Sequence, residues 1–354
     1  GYPVRPLPDP ATPDGDPRAA FRSAVEGERM AEAQGIVRDA IAEGADAAAL
    51  RPWFVDVVAD HHLSYGHGAI YSQKAFQLLD RIGWDRADTV LPHLVPTLVY
   101  GTREDTLPYM RRFHRGVAEL DLVALAEAAN EPSAGWVDDG RLLAALLGSD
   151  RGEPALAAGA AIAAGASLDD VLDVVTLAVS ERMLRYDTDG EFDFHDDFGW
   201  LDITHGMTYA NAVRWLLAHT SPGTAPRTAA VTAEVTVDQV RLVLWTVFLA
   251  HWTGRHEWHT RVGPRAEIEP RSTDLVAYGD SLQHEALLDG TTAFIVHAHA
   301  IKTSVAATEE SVRLGVTTPL DAAARFLAAP KLERFVASTV TRSIDFLSGR
   351  APRD

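Results

Sequence analysis

Cysteine is absent from all 354 residues of the chain. Its absence excludes both disulfide bonds and thiolate metal ligands, so any bound metal must be held by other side chains, chiefly histidines and carboxylates. Long apolar runs and an export signal are also missing, and the formal net charge is −18. We therefore expect a cytoplasmic protein with no membrane span. Nucleic acid and anionic membrane surfaces are excluded as partners, because such an acidic chain would be repelled by both.

Strand patterns are scarce, and the only β-like run, 228–237, is short. Hydrophobic residues make up 47% of the chain, and they recur at the three- and four-residue spacing of amphipathic helices. We predict an all-α fold with a proline-rich N-terminal arm over 1–16. A single large helical domain is expected over 17–350, with C-terminal helices spanning 236–348. The predicted helices include 47–60, 67–82 and 168–185.

Two histidine-containing stretches of the chain resemble each other. Residues 67–79 align with 205–217 without gaps, and a histidine, a glycine, a tyrosine and two leucines are identical. The matched histidines are His67 and His205. An internal repeat of this kind predicts a duplicated helical unit whose two histidines face one site. Chance similarity within an alanine-rich chain is the alternative.

A second match extends the repeat upstream. Residues 40–45 recur as 161–166 with five of six positions identical, at an offset of 121 residues, whereas 138 residues separate the two histidines. The second copy must therefore contain a 17-residue insertion, which we assign to 184–200. The pseudo-repeats are predicted to cover about 36–80 and 157–218.

Fourteen histidines provide many candidate metal ligands, since imidazole binds iron, zinc and copper. Besides His67 and His205, two more histidines are candidates. His62 lies five residues before His67 and could reach the same site from the preceding turn. His251 lies near the end of a predicted helix and is a candidate fourth ligand.

Three further side chains share helix faces with the paired histidines. Asp202 precedes His205 by three residues, so it is placed to accept the second ring N–H and to fix the imidazole tautomer. Tyr71 and Tyr209 each follow their histidine by one turn. These three are the candidate catalytic residues. For the tyrosines, core packing with a satisfied hydroxyl is the alternative.

A third candidate element lies in the C-terminal part, where one long helix is predicted over 280–312. From Ala293 to Ala307 this helix is apolar on nearly every side, yet it contains His299 and, one turn later on the same face, Lys302. An unpaired ammonium is costly to bury. Lys302 is therefore predicted to be a desolvated amine, a charge partner or an N-carboxylated metal ligand. Snorkelling to the surface is the alternative.

Together these elements resemble the questin oxidase-like family of all-helical oxidoreductases. The resemblance is carried by Tyr65-Gly-His-Gly68, by Asp202-Ile-Thr-His-Gly-Met-Thr-Tyr-Ala-Asn211 and by His299-Ala-Ile-Lys302. It implies a non-haem iron site in which His67, His205, His299 and a modified Lys302 are ligands. Zinc and manganese are the alternative metals for such a site. It also implies that O2 oxidises a polyketide-like aromatic substrate, by ring cleavage or by Baeyer–Villiger-type oxygen insertion.

Three functions remain open. The first is a metal-dependent oxygenase of secondary metabolism that acts on a bulky, flat molecule. Aromatic side chains that could line such a site are Trp84, Trp200, Trp215, Trp245 and Trp252. The second is a metal-dependent hydrolase, since a carboxylated lysine also suits hydrolytic metal sites. The third is a helical-repeat binding protein whose histidines are incidental. The sequence predicts no oligomeric state.

Overall fold

The computed structural model describes residues 6–192, 198–220, 234–255, 257, 262–288, 293–331, 340, 343–345 and 347–349. Within these residues the regular secondary structure is helical, which confirms the all-α prediction. A single antiparallel bridge between Leu63 and Arg103 is the one β-type pairing in this part of the chain. None of the described helices is long and apolar enough to cross a membrane.

The described residues contain fifteen α-helices. In chain order they are α1 (Pro17–Glu26), α2 (Met30–Ala42), α3 (Ala47–Asp60), α4 (His67–Ile82), α5 (Ala87–Val99), α6 (Arg111–Ala118), α7 (Leu122–Asn130), α8 (Arg141–Leu147), α9 (Glu153–Ala163), α10 (Leu168–Arg185), α11 (Trp200–His219), α12 (Val237–Trp252), α13 (Leu275–Leu288), α14 (Phe294–Leu314) and α15 (Thr318–Ala328). Short 3-10 turns precede α4, α5, α6 and α11.

Side-chain caps explain where several helices begin. Before α10, the Ser167 hydroxyl accepts from the Asp170 N–H at 3.1 Å, while the Asp170 carboxylate accepts from the Ser167 N–H at 2.8 Å. Thr236 and Gln239 exchange the same two bonds at the start of α12. Such reciprocal capping satisfies backbone N–H groups that have no partner inside the helix.

The predicted long helix over 280–312 is wrong, because the structure divides this stretch into α13 and α14. Ala293 has a non-helical backbone (φ −81°, ψ 87°) and forms the N-cap of α14. Residues 289–292, between the two helices, lie outside the described part of the chain. Of the β-like run 228–237, residues 228–233 lie outside the described part of the chain, and Val237 begins α12.

The described part of the N-terminal arm, residues 6–16, contains no helix and lies along α2. The Ala11 N–H donates to the Gly35 carbonyl at 3.1 Å, and the Arg38 guanidinium donates to the Pro8 carbonyl. A Cβ atom on Gly35 would lie only 3.0 Å from the Cβ of Ala11. Glycine at this position therefore allows the arm to approach the helix closely.

The chain forms two compact units. Unit 1 contains residues 1–142, 150–172 and 212–249, and unit 2 contains residues 143–149, 173–211 and 250–354. In the core of unit 1, Phe54 contacts Phe21 and Phe76 with ring centroids 5.3 and 5.5 Å apart. In unit 2, buried residues of α13, α14 and α15 pack together, namely Tyr278, Leu282, Ala307, Leu320, Ala323 and Ala324.

Several helices of the first predicted repeat begin or end 121 residues before their counterparts in the second. α2 and α9 end at Ala42 and Ala163, and α3 and α10 begin at Ala47 and Leu168, so each pair is separated by the 121 residues of the upstream match. The correspondence stops at the histidines, since His67 begins α4 whereas α11 begins five residues before its histidine. Common boundaries do not establish common ancestry, and the duplication stays a prediction.

Candidate functional site

Three of the predicted ligands come together in unit 2. The rings of His205 and His299 meet edge to face, with centroids 4.8 Å apart and an interplanar angle of 69°. The Lys302 amine Nζ lies 3.4 Å from Nε2 of His205. His205 is supplied by α11, while His299 and Lys302 lie one turn apart on α14. His299 and Lys302 therefore lie on one face of α14, as predicted, and this face contacts His205.

A backbone carbonyl one turn earlier orients each of these rings. Nδ1–H of His205 donates to the Leu201 carbonyl at 2.5 Å, and Nδ1–H of His299 donates to the Ile295 carbonyl at 2.7 Å. A carbonyl can only accept, so in the neutral form of each ring Nδ1 carries the proton and Nε2 has the lone pair. Metal-bound histidines commonly have such a bond on the nitrogen that does not bind the metal.

The role predicted for Asp202 is wrong. The Leu201 carbonyl, not the Asp202 carboxylate, accepts the second ring N–H of His205. Asp202 instead pairs with Arg255, Oδ1 to Nη2 at 3.0 Å, and accepts from the Gly199 N–H at 3.0 Å. An aspartate in the first turn of α11 is stabilised there by free backbone N–H groups and by the helix dipole.

The three side chains of the cluster are shielded from solvent to different degrees, and this affects the charge of the lysine. His205 and His299 are buried, with 6% and 3% of their surface exposed. Burial also lowers the pKa of the Lys302 ammonium to about 7. A substantial fraction of the amine is therefore neutral near pH 7, and a neutral amine has a lone pair that an ammonium lacks.

Gly206 allows α10 to pack closely on α11 next to His205. A Cβ atom at this position would lie 2.7 Å from Cγ2 of Val179. Its counterpart in the predicted repeat, Gly68, has the same kind of neighbour in unit 1, since a Cβ there would lie 3.3 Å from Cγ1 of Val58. Val58 and Val179 are again 121 positions apart. Both predicted copies thus have a close helix contact beside the histidine.

The remaining candidates of the first repeat lie in unit 1. His67 donates from Nδ1 to the Ser64 carbonyl at 2.6 Å, and its ring lies 5.2 Å from that of Tyr71. Ser64 and Tyr65 both have positive φ, 47° and 57°, a conformation that non-glycine residues adopt at a cost. Tyr71 is 47% exposed, so it is not enclosed in the core.

His62 of unit 1 is completely buried. Its ring packs edge-on against Phe248, with centroids 5.8 Å apart. Burial lowers the pKa of His62 to about 3, although the nearby Asp105 acts in the opposite direction. The ring is therefore neutral over the whole physiological range, as a metal ligand requires. That His62 and His67 join His205 in one metal site stays a prediction.

Two candidates of unit 2 also stay predictions. His251 is buried, and its Nδ1 lies 3.3 Å from the Leu146 carbonyl. Tyr209 is buried as well, with 1% of its surface exposed. Among the tryptophans, Trp200 is fully buried and packs 4.8 Å from Tyr186 and 5.5 Å from Phe326. It is therefore part of the core rather than a lining residue.

Sequence reasoning missed Glu191, which connects the insertion to the site. Its carboxylate accepts from the Tyr186 hydroxyl at 3.0 Å and from the Trp200 N–H at 3.1 Å, and the residue is buried. Glu191 therefore holds the first residue of α11, next to the Leu201 carbonyl that orients His205. No spacing rule distinguishes it from the other acidic residues of the insertion. Residues 193–197 of that insertion lie outside the described part.

Whether the cluster can bind a metal ion depends on which of its side-chain atoms can act as ligands. Within the residues that the structure describes, no group of three or more histidine, aspartate or glutamate side chains is arranged to hold a metal ion. The cluster of His205, His299 and Lys302 differs from such a group because its third member is a lysine. It fits a metal only when the amine has lost its proton or carries a carboxylate. The two Nε2 atoms suit iron, zinc or manganese.

Comparisons of the chain with models of protein families, with curated proteins and with solved structures found no match. The class of protein defined by the fold is therefore an all-α protein in which two buried histidines meet a partly buried lysine. Its resemblance to the questin oxidase-like family stays a prediction.

Proposed function

We propose that the chain is a metal-dependent oxygenase and that His205, His299 and Lys302 hold part of its metal site. The observation that carries the proposal is that two imidazoles, each with an acceptor Nε2, meet a partly buried amine in unit 2. Neutral imidazoles alone would leave the charge of a divalent cation without compensation. A carboxylated Lys302 would supply an anionic oxygen ligand at this position.

The residues of the cluster would have separate tasks. The Leu201 and Ile295 carbonyls keep the two rings in the tautomer that presents Nε2. The bond of Asp202 to Arg255 and to the start of α11 holds the turn that contains Leu201. A bound iron would supply the activation of O2. We also propose His67 as a further ligand, on the sequence resemblance. His62 and His251 are candidates from their positions in the chain alone.

The reaction class rests on the resemblance, which favours O2-dependent oxidation of a bulky aromatic or polyketide-like molecule. Metal-dependent hydrolysis is the second candidate, since a carboxylated lysine serves both chemistries. The identity of the metal separates the two, because iron supports oxygen chemistry whereas zinc has no redox activity.

Metal analysis of the purified protein tests the proposal. We expect iron in the wild-type chain and a loss of at least about tenfold in metal affinity for His205→Ala, His299→Ala and Lys302→Ala. His219→Ala is the matched control, because His219 makes the same Nδ1–H bond to a carbonyl one turn earlier, that of Trp215 at 2.7 Å, without belonging to the cluster. Normal metal occupancy in all three variants would overturn the proposal.

A second measurement separates the oxygenase from the metal site itself. Oxygen uptake is followed with a panel of polycyclic aromatic phenols for wild-type protein and for Lys302→Ala. We expect uptake with the wild type alone. A chain that binds zinc and hydrolyses ester analogues without oxygen uptake would support the hydrolase instead. A carbamate signal in 13C NMR with labelled bicarbonate, absent from Lys302→Ala, would identify the modified lysine.

A further inference from the structure

An open cleft lies in unit 1 between residues 136–142 and α9. Its volume is about 370 Å³, within the range of small-molecule sites. The floor is formed by α9 and its C-cap, through Leu156, Ala157, Ala160, Ala161 and Ala164. The facing segment contributes the Trp136 indole and Val137, whose side chain is mostly exposed. The cleft therefore combines an aromatic wall with an apolar floor of small side chains.

The rim of the cleft is acidic. Asp138, Asp139 and Glu153 contribute three carboxylates, against one guanidinium from Arg141. Arg141 pairs with Asp139 at 2.9 Å, but its side chain is 85% exposed, so the pair is weak and screened by solvent. The rim thus keeps a net negative charge, on a chain whose formal charge is already −18. This combination favours a cationic ligand.

Two anchors keep the cleft open. At one end the Ser133 N–H donates to the Gly165 carbonyl at 2.8 Å, beyond the C-terminus of α9. At the other end Asp138 accepts from the Leu142 N–H at 3.1 Å, in the first turn of α8. The segment between them is held over α9, where alanines are too short to fill the space. The arm over 6–16, in contrast, lies directly against α2.

From this geometry we infer that the cleft is a binding site for a small organic cation with an aromatic body, of the arylalkylamine class. The ring of the ligand packs between the Trp136 indole and the alanines of α9. Its ammonium group lies at the acidic rim, where the carboxylates attract it. The cleft contains none of the histidine candidates, so the inference is independent of the proposed metal site.

The test uses tryptamine as the probe, titrated into the full-length protein by calorimetry. We expect saturable binding with one site per chain and a sub-millimolar Kd (about −4 kcal/mol or more favourable). Ala160→Leu places a larger side chain at an exposed position of the floor, so it should weaken binding at least about tenfold. Ala163→Leu is the matched control, since Ala163 is exposed on the same helix but does not line the cleft.

The charge of the ligand is tested separately. Indole-3-acetate should not bind, and indole-3-ethanol should bind more weakly than tryptamine. Glu153→Gln, which removes one exposed rim carboxylate, should weaken tryptamine binding about threefold, and added salt should reduce the difference. No saturable tryptamine binding, equal affinity for the acetate, or unchanged affinity in Ala160→Leu would each overturn the inference.

Discussion

The amine of Lys302 lies 3.4 Å from Nε2 of His205, and the Leu201 carbonyl determines that this Nε2 carries the lone pair. Lys302, which is partly buried, can therefore donate to the buried His205. One proton can be shared in the hydrogen bond between Nζ of Lys302 and Nε2 of His205. If both side chains were protonated, the two positive charges would repel each other strongly, because the local dielectric constant is low. A metal cation that replaces this proton could bind to both nitrogens without a large movement of either side chain.

This relationship predicts how stability depends on pH. Burial lowers the pKa of Lys302 to about 7 from its ordinary 10.5, so between these values the unfolded chain binds more protons than the folded one. The free energy of unfolding should therefore rise with pH across this window, and the cost of the buried ammonium is largest below pH 7. Lys302→Met removes the titrating group and should flatten the rise.

The measurement is urea unfolding of metal-free protein at pH 6, 8 and 10. At pH 6 we expect Lys302→Met to be more stable than wild type by about 1–3 kcal/mol. Lys74→Met, on α4, is the control, since Lys74 hydrogen-bonds Gln77 at 2.9 Å and lies outside the cluster. Parallel curves for wild type and Lys302→Met would show that the amine stays charged in the folded protein.

A second prediction concerns the insertion. Glu191→Gln replaces the buried carboxylate that holds both Tyr186 and the first N–H of α11. We expect a loss of about 1–3 kcal/mol in the free energy of unfolding, because a buried N–H or O–H loses its charged partner. Tyr186→Phe removes only one of the two bonds and should cost less. A thermal melt of the three proteins checks the order, and equal melting temperatures would contradict it.

Local features of the fold were predictable from the sequence. The helices predicted over 47–60, 67–82 and 168–185 have these bounds in the structure, since periodicity and caps act within a few residues. The shared face of His299 and Lys302 was predictable for the same reason. The choice of acceptor for His205 was not, because the Asp202 carboxylate and the Leu201 carbonyl both lie within one turn. Only the geometry of α11 decides between them.

Contacts between segments that are distant in the chain could not be predicted from the sequence. Nothing in the spacing connects Glu191 with the start of α11 or Asp202 with Arg255. His61 is a further case, since the sequence gives no reason to pair it with Asp105 and Glu26. Its ring nitrogens lie 2.8 and 2.9 Å from these carboxylates. Such pairs depend on tertiary packing, which a single sequence does not encode in a local pattern.

The His61 contacts give a third prediction, with the opposite dependence on pH. The hydrogen bond to Asp105, supported by that to Glu26, raises the pKa of His61 above its ordinary value of 6.5. The resulting stabilisation is fully present below pH 6.5 and disappears as the pH rises through the folded-state pKa. His61→Gln should therefore cost about 1–2 kcal/mol at pH 6 and less at pH 9. An equal cost at both pH values, by urea unfolding, would contradict the charged pair.

The last prediction tests the close packing next to His205. In a helix, replacing glycine by alanine normally gains about 1 kcal/mol. At Gly206, however, the new Cβ would lie 2.7 Å from Val179, so Gly206→Ala should be destabilising by about 1–3 kcal/mol. Val179→Ala removes the opposing methyl groups. The double variant should therefore recover part of the loss, whereas two independent sites would simply add their costs.

Gly68→Ala provides the matched comparison in unit 1. Its new Cβ would meet Leu63 at 3.0 Å and Val58 at 3.3 Å, contacts that a small movement of the neighbours can relieve. We therefore expect a smaller loss than at Gly206. Urea unfolding of the single variants and of the Gly206→Ala, Val179→Ala pair measures the coupling. If Gly206→Ala is as stable as wild type, then α10 and α11 can separate without cost, and the position of His205 is not fixed by this contact.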